Sequence, residues 1–322
     1  MQSHHVYGPV PSRRLGRSLG IDVIPFKTCT YDCTYCQLGH TTCHTCERRE
    51  YVPVDLVLSE LKEHLQRDTP DIISFAGSGE PTLNSGLGRC IAGIKEMTSV
   101  PVAVFTNASL LWMPEVRADL ALADIVSPSL DAALPRTAEQ VNRLAAGLDL
   151  QQILEGLATF CAEYTGQIWL EILLCRGVND SRDDLEALKG VLRRLARVDR
   201  VQLNTATRPP ADRDIAPLDR EALQRVADEI QRDTPWPCEI IASFPKTSAH
   251  EASSRVPGRD EVLELVRCHP STVQGIAAGL DVEQAGVAPV VDALLADGLF
   301  ECEEREGETY YFVREDETKG AH

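Results

Sequence analysis

The sequence predicts an α/β fold: a parallel sheet, open or curled into a partial (β/α)6 barrel, followed by a small α+β module. Three observations carry this expectation. Short β-rich apolar runs alternate with helical patterns in six successive strand–helix units between residues 18 and 231. A run of small and polar residues at 250–258 (HEASSRVPG) then breaks the alternation. The length of 322 residues suits one large and one small domain, at roughly 100–200 residues each.

The elements follow in order. Residues 18–26 (SLGIDVIPF) read as the first strand. Residues 55–66 read as a helix, because Leu56, Leu58, Leu61 and Leu65 fall near helical spacing with Glu and Lys between them. Residues 71–76 (DIISFA) form a short strand that runs into Gly77, Ser78 and Gly79. The run 100–105 (VPVAVF) ends in Thr106 and Asn107, and 124–130 (DIVSPSL) ends near Asp131. Residues 167–174 (QIWLEILL) and 199–204 (DRVQLN) complete the strands, with helices expected at 85–97, 114–123, 149–164, 182–196 and 218–231. Asn179 and Asp180 read as a cap for the helix at 182. Right-handed crossovers place the helices on the sheet, and sites in such folds collect at the carboxyl ends of the strands.

After the linker, helical patterns at 260–268, 271–279 and 282–295 precede two strands within 299–313, around the turn Arg305, Glu306, Gly307, Glu308. The expected organisation is a barrel at 1–249, a linker at 250–258 and an acidic winged-helix-like module at 259–322. Its charge argues against DNA. Residues 255–322 hold 6 Lys plus Arg against 15 Asp plus Glu, and the wing carries Glu301, Glu303, Glu304, Glu306 and Glu308. Docking of a peptide or protein, or a lid within the molecule, fits that charge better.

The whole chain carries 32 Lys plus Arg and 49 Asp plus Glu, a net −17, which disfavours a protein built to grip nucleic acid through a broad basic surface. Its first eight residues, with His4 and His5, lack the apolar stretch of a signal peptide, and no run reaches the ~20 apolar residues of a membrane span. A cytoplasmic setting is expected. Eleven cysteines are too sparse for a disulfide scaffold, and five of them fall between Cys29 and Cys46.

Cys29, Cys33 and Cys36 spell CxxxCxxC directly after the first strand, with Tyr35 before the last cysteine. Three thiolates on one loop suit three irons of a [4Fe–4S] cubane and leave one iron open. Zinc, which takes four ligands, is the alternative that the three cysteines alone leave standing. About forty residues on, Gly77, Ser78, Gly79 and Glu80 follow the second strand; glycines admit a ligand close to the backbone and a carboxylate suits an ammonium. Cys43 and Cys46 form a CxxC with His44 inside it. It is open between an auxiliary metal site, a redox pair and an incidental pair, the shortage of ligands favouring no metal. The six remaining cysteines are expected in apolar surroundings.

With CxxxCxxC and the GSGE segment at successive strand ends, the chain resembles the radical S-adenosylmethionine (SAM) superfamily. The run from Tyr7 to Asp22 (YGPVPSRRLGRSLGID), with Tyr51-Val52-Pro53 and Arg208-Pro209-Pro210, is similar to a subgroup grouped with the wyosine tRNA-base synthases, over about residues 6–245. The resemblance implies a radical SAM barrel in which Cys29, Cys33 and Cys36 hold the [4Fe–4S] cluster and SAM chelates the fourth iron. Tyr35, Gly77, Ser78, Gly79, Glu80, Asn107, Ser129, Asp131, Glu171 and Asn204 are then the candidate cofactor-binding residues. Asn107, Ser129 and Asp131 also read as turn or cap residues, and Glu171 as a solvent-facing charge. The implied chemistry is reductive cleavage of SAM to a 5′-deoxyadenosyl radical that abstracts hydrogen from a small-molecule, peptide or protein substrate. It implies an external one-electron donor of flavodoxin or ferredoxin type. A tRNA-modifying enzyme of the wyosine type and a non-catalytic Fe–S sensor with winged-helix output are the alternatives. The acidic charge counts against RNA, and the GSGE segment counts against a sensor. Arg13, Arg14 and Arg17 suit an anionic substrate group, although surface and interstrand pairing is the plainer reading.

Overall fold

A computed structural model describes residues 5–12, 14–242, 254–268, 270–280, 282–305 and 308–314. Arg13, residues 250–253 of the expected linker, and Glu306 and Gly307 of the wing lie outside them. The main sheet has eight strands in the order β1-β2-β5-β6-β7-β8-β9-β10. β1 (Val6–Ser12) lies antiparallel to β2 (Gly16–Ile21) at one edge. β2 then runs parallel with β5 (Ile72–Phe75), β6 (Val102–Thr106), β7 (Ile125–Pro128), β8 (Gln167–Leu174), β9 (Arg200–Thr205) and β10 (Cys238–Ile240). Neighbours in the sheet follow chain order, as a curling barrel requires.

Helices lie between the strands: α1 (Val54–Arg67), α2 (Leu87–Met97), α3 (Pro114–Leu120), α4 (Pro135–Val141), α5 (Leu150–Glu163), α6 (Arg182–Leu192) and α7 (Arg220–Asp233). Asp149, Ser181 and Asp219 cap three of them by accepting a backbone N–H of the first turn. Strand alternation gives the sheet two faces. Ile73, Phe75, Val104, Val126, Leu170 and Leu203 belong to the main core, which also contains residues of these helices. Leu15, Ile72, Ala103, Ile125 and Trp169 form a second cluster, the packed floor of the barrel interior.

Several expected elements shift. The first strand stops at Ile21 rather than 26, because the Asp22 carboxylate accepts the Ile24 N–H at 3.2 Å and turns the chain. β1 was not expected, and its run contains Gly8, Pro9 and Pro11, which disfavour a strand; an edge strand tolerates proline, since one side of its backbone has no partner strand. β10 and the two-turn α4 were also absent from the sequence reading. Asn179 does not cap α6. It is buried, donates to the Asp131 and Leu173 carbonyls at 2.9 and 2.8 Å, and accepts the Cys175 N–H, so it ties β8 to the chain after β7.

Beyond the sheet, α8 (Arg259–Cys268), α9 (Val273–Leu280) and α10 (Gln284–Ala296) pack with the hairpin of β11 (Phe300–Arg305) and β12 (Glu308–Val313). They share a core of their own, with Val262, Ile276, Val287, Val291, Leu294 and Phe300. Among the described residues no helix is long and apolar enough to cross a membrane.

Candidate active site

The cysteine loop sits over the carboxyl end of β2 and is pinned from several strands. It carries β3 (Thr28–Cys29), which pairs in parallel with β4 (Cys43–His44). The Asp32 and Thr34 N–H groups each donate to the chain at the end of α4, to Asn142 and Val141 carbonyls at 3.0 Å. Thr30 and Ser109 share a buried hydroxyl contact of 2.7 Å. Cys29, Cys33 and Cys36 are partly exposed residues with free thiols. Asn107 Nδ2 lies 3.5 Å from the Cys29 sulfur, and Asn142 Nδ2 lies 3.5 Å from the Cys33 sulfur. N–H groups at cluster sulfurs are a means of setting reduction potential.

Burial, reinforced by nearby Glu80, pushes the Cys29 thiol up to about 12. Burial also raises Cys33 well above the ordinary thiol range, with Asp131 adding to it, and raises Cys36. These thiols are therefore poor thiolates without a cation, and iron must displace their protons. Among the described residues no three His, Cys, Asp or Glu side chains converge on a single metal ion. Thiolates that each take a different iron of a cubane need no such convergence, so this donor set fits a cluster better than one zinc ion.

The glycine loop after β5 is built against the cysteine loop. Gly77 has φ +139°, a conformation that favours glycine, and a Cβ there would lie 2.8 Å from an Asp22 carboxylate oxygen. A Cβ on Gly79 would lie 1.8 Å from the Thr28 carbonyl oxygen. The Ser78 N–H donates to Asp22 at 3.0 Å, and the Ser78 carbonyl accepts the Lys27 N–H at 2.7 Å. Burial raises the Asp22 carboxyl above its ordinary range, opposed by its hydrogen bonds.

Glu80 is held by several donors of the protein itself. Its buried carboxylate accepts the Thr82 N–H and hydroxyl, the Thr106 hydroxyl at 2.7 Å and the Asn107 N–H at 2.7 Å. Oε1 takes three of these bonds and Oε2 one, so the carboxylate is braced within the protein while Oε2 keeps acceptor capacity. Glu80 also fixes Asn107, whose amide reaches Thr30 at 2.7 Å and the Cys29 sulfur. The carbonyls of Gly77 and Gly79 accept no hydrogen bond among the described residues.

Asp131 is similarly engaged. Buried at the end of β7, it accepts the Tyr35 hydroxyl, Asn142 Nδ2 at 3.0 Å and the Leu173 N–H at 2.9 Å. It holds the cysteine loop through Tyr35 and Asn142. Ser129 donates its N–H to the Thr106 carbonyl and bridges Glu171 in parallel, while its partly exposed side chain has no hydrogen-bond partner among the described residues. Glu171 Oε1 accepts Asn204 Nδ2 at 2.9 Å, and its Oε2 accepts Arg14 Nη1 at 2.8 Å. The expected site residues therefore gather at the carboxyl ends of β5 to β9. Thr106 was named with Asn107 at its strand end, but Asp22, Thr30 and Asn142 were not singled out; Asp22 ended the N-terminal motif, whereas Asn142 carries no signal in the sequence.

Elsewhere, Cys43 is exposed and Cys46 partly so, beside the cysteine loop, where the Thr45 N–H donates to the Cys29 carbonyl. Cys90, Cys161 and Cys175 are buried as expected and Cys238 is half-buried against the main core, but Cys302, on the two-stranded hairpin, is exposed. Arg17 pairs with Asp68 at the surface.

Three thiols beneath an open carboxyl-end face of a parallel barrel define an iron–sulfur enzyme of the barrel class. The sequence profile of the Radical SAM superfamily matches residues 23–188, and the chain belongs to that superfamily. It is 40% identical over 219 residues to a UPF0026 protein of Synechocystis sp., covering 67% of this chain and 78% of that protein. It is also 36% identical over 301 residues to a protein of Brachyspira hyodysenteriae named GTPase Obg. That match covers 92% of this chain but spans only 43% of the relative's length. A radical SAM methyltransferase from Sphaerobacter thermophilus superposes with a TM-score of 0.51 at 17% identity, covering 71% of this chain and 67% of that one, which shows the shared fold. The protein is thus a radical SAM enzyme, with a [4Fe–4S] cluster and SAM as its cofactors.

The Asp22 contact gives a direct test of the glycine loop. Asp22→Asn turns an amide N–H₂ against either the Ser78 or the Ile24 N–H. SAM affinity of the reconstituted protein, measured by equilibrium dialysis, should fall by about tenfold or more while iron content is kept. Unchanged SAM affinity would remove Asp22 from the site.

Proposed function

We propose that the chain binds its cluster through Cys29, Cys33 and Cys36 and lays SAM across the strand ends from Gly77 to Asn204, to abstract hydrogen from a substrate bound in the barrel. The observation that carries this reading is the direct joining of the two seats: Glu80 N–H donates to the Thr28 carbonyl, and Asn107 links Glu80 to the Cys29 sulfur. The cluster and SAM together supply one-electron cleavage of a C–S bond and a carbon radical. The chain supplies position. The Gly77 and Gly79 carbonyls receive the ammonium, Ser129 and Asn107 offer polar groups to the carboxylate or ribose, and Glu171 with Asn204 flanks the nucleoside. Tyr35 and Asp131 brace the cysteine loop instead of touching SAM.

The electron donor is read as a flavodoxin- or ferredoxin-type protein, and the free thiols as suited to a reducing cytoplasm. We divide the chain into a barrel at 1–249, a linker at 250–258 and a winged-helix-like module at 259–322. The separate core of the last supports this division. Exposed Glu301, Glu304 and Glu308 on its hairpin favour a peptide or protein partner over DNA.

The test is anaerobic reconstitution with iron and sulfide, then SAM and dithionite, with 5′-deoxyadenosine read by mass spectrometry. The wild-type protein should take up about four irons and form the nucleoside. Full iron uptake without any 5′-deoxyadenosine would overturn the reading.

A further inference from the structure

The turn between β1 and β2 reaches into the barrel. Gly16 has φ +69°, and the Arg17 N–H donates to the Asp71 carboxylate at 2.7 Å, which holds the turn beneath β5. Leu15 is 9% exposed and packs among Ile72, Ala103, Ile125 and Trp169 on the barrel floor. Its neighbour Arg14 stands in the same interior, its guanidinium carbon 5.0 Å from the centre of the Phe105 ring. Arg14 Nη1 donates to Glu171 Oε2 and to Gln202 Oε1, both at 2.8 Å. Glu171 pairs in register with Gln202, and Gln202 with Glu239. Arg14 therefore lies level with Glu171 and Ser129, in the layer assigned above to SAM.

A guanidinium has five N–H donors. Nη1 places its two on Glu171 and Gln202, whereas Nε and Nη2 have no partner among the described residues. The side chain is 23% exposed, so this free edge meets solvent within the barrel. The Nε and Nη2 donors run parallel, the geometry that receives two oxygens of a carboxylate or phosphate. Surrounding charges do not forbid an anion. Glu171 is engaged by Arg14 and Asn204; Glu239 accepts from Gln202 at 2.8 Å and faces Arg200 at 3.5 Å, while Arg200 lies over Trp169. Arg14 thus balances Glu171 inside the barrel, while Arg200 and Glu239, 41% and 46% exposed, balance each other in solvent at the edge of the sheet.

We infer that Arg14 is a substrate-binding residue, and that the substrate bears a carboxylate or phosphate that docks on its free Nε/Nη2 edge. This rests on the proposed function for the substrate's place in the barrel, but its test does not depend on turnover. The reconstituted holoenzyme is treated with phenylglyoxal, and modification of Arg14 and Arg17 is followed by peptide mass spectrometry at constant ionic strength. Inorganic phosphate and acetate are titrated in separate arms. One anion should slow modification of Arg14 about tenfold, as a charge-assisted pair implies, while exposed Arg17 reacts at its usual rate. The arm that protects at lower concentration names the group. Arg14→Lys keeps the charge and loses the fork, so calorimetry should show the favoured anion bound about tenfold more weakly. Failure of both anions to protect Arg14, or protection equal at Arg17, would reduce Arg14 to a brace for Glu171. If Arg14 is protected but wild-type protein forms no 5′-deoxyadenosine, the anion site stands and the SAM reading fails. The reverse pair of results has the opposite meaning.

Discussion

Cys33→Ala should leave a folded protein that takes up little iron and forms no measurable 5′-deoxyadenosine. Cys33 belongs to a loop whose position is fixed by backbone contacts of its neighbours, Asp32 and Thr34, to Asn142 and Val141 carbonyls. Removing the sulfur leaves those contacts in place, so the loss falls on ligation and not on the fold. With two thiols remaining, the CxxxCxxC loop falls one ligand short of the three that the cluster requires. Iron analysis, the charge-transfer absorption of the cluster and circular dichroism read the three quantities separately. A variant that keeps its iron and cleaves SAM would sink the assignment of Cys33.

Gly79→Ala should be nearly as damaging by a steric route. The added methyl would fall 1.8 Å from the Thr28 carbonyl oxygen and 2.8 Å from its carbon. Both are backbone atoms of β3, beside Cys29, and cannot swing away as the end of a side chain can. Relief requires the glycine loop and the cysteine loop to part, which also stretches the bond from Glu80 N–H to Thr28. Overpacking of this kind costs about 1–3 kcal/mol, and here it falls on the SAM seat. SAM affinity should drop by about tenfold or more in equilibrium dialysis, with slower iron uptake. Wild-type affinity in this variant would show that the two loops are not rigidly joined.

The parallel strands were legible because each is a short apolar run that stops at a polar or glycine residue, and the same stops marked Gly77, Asn107, Ser129 and Asp131. Spacing alone exposed the three cysteines. β1 was illegible, since its prolines are tolerated only by the edge position that the tertiary fold gives it. The partners of Glu80 and Asp131 were also hidden. A carboxylate in a motif shows that a charge is present, but not that Thr82, Thr106 and Asn107, or Tyr35 and Asn142, donate to its oxygens. Arg14 and Glu171 are 157 residues apart, and no periodicity relates them.

The bonds between Lys27 and Ser78, Thr28 and Glu80, and Asn107 and Cys29 make the seats for metal and nucleoside one mechanical body. Ligands that share a rigid body have linked equilibria, and the linkage is reciprocal. Whatever tightening iron gives to SAM, SAM returns to iron by the same factor. The linkage sets no order of assembly: whichever ligand binds first, the factor is the same. On the proposed seats, bound SAM should therefore slow the loss of iron to a chelator, and protein without SAM should lose it faster.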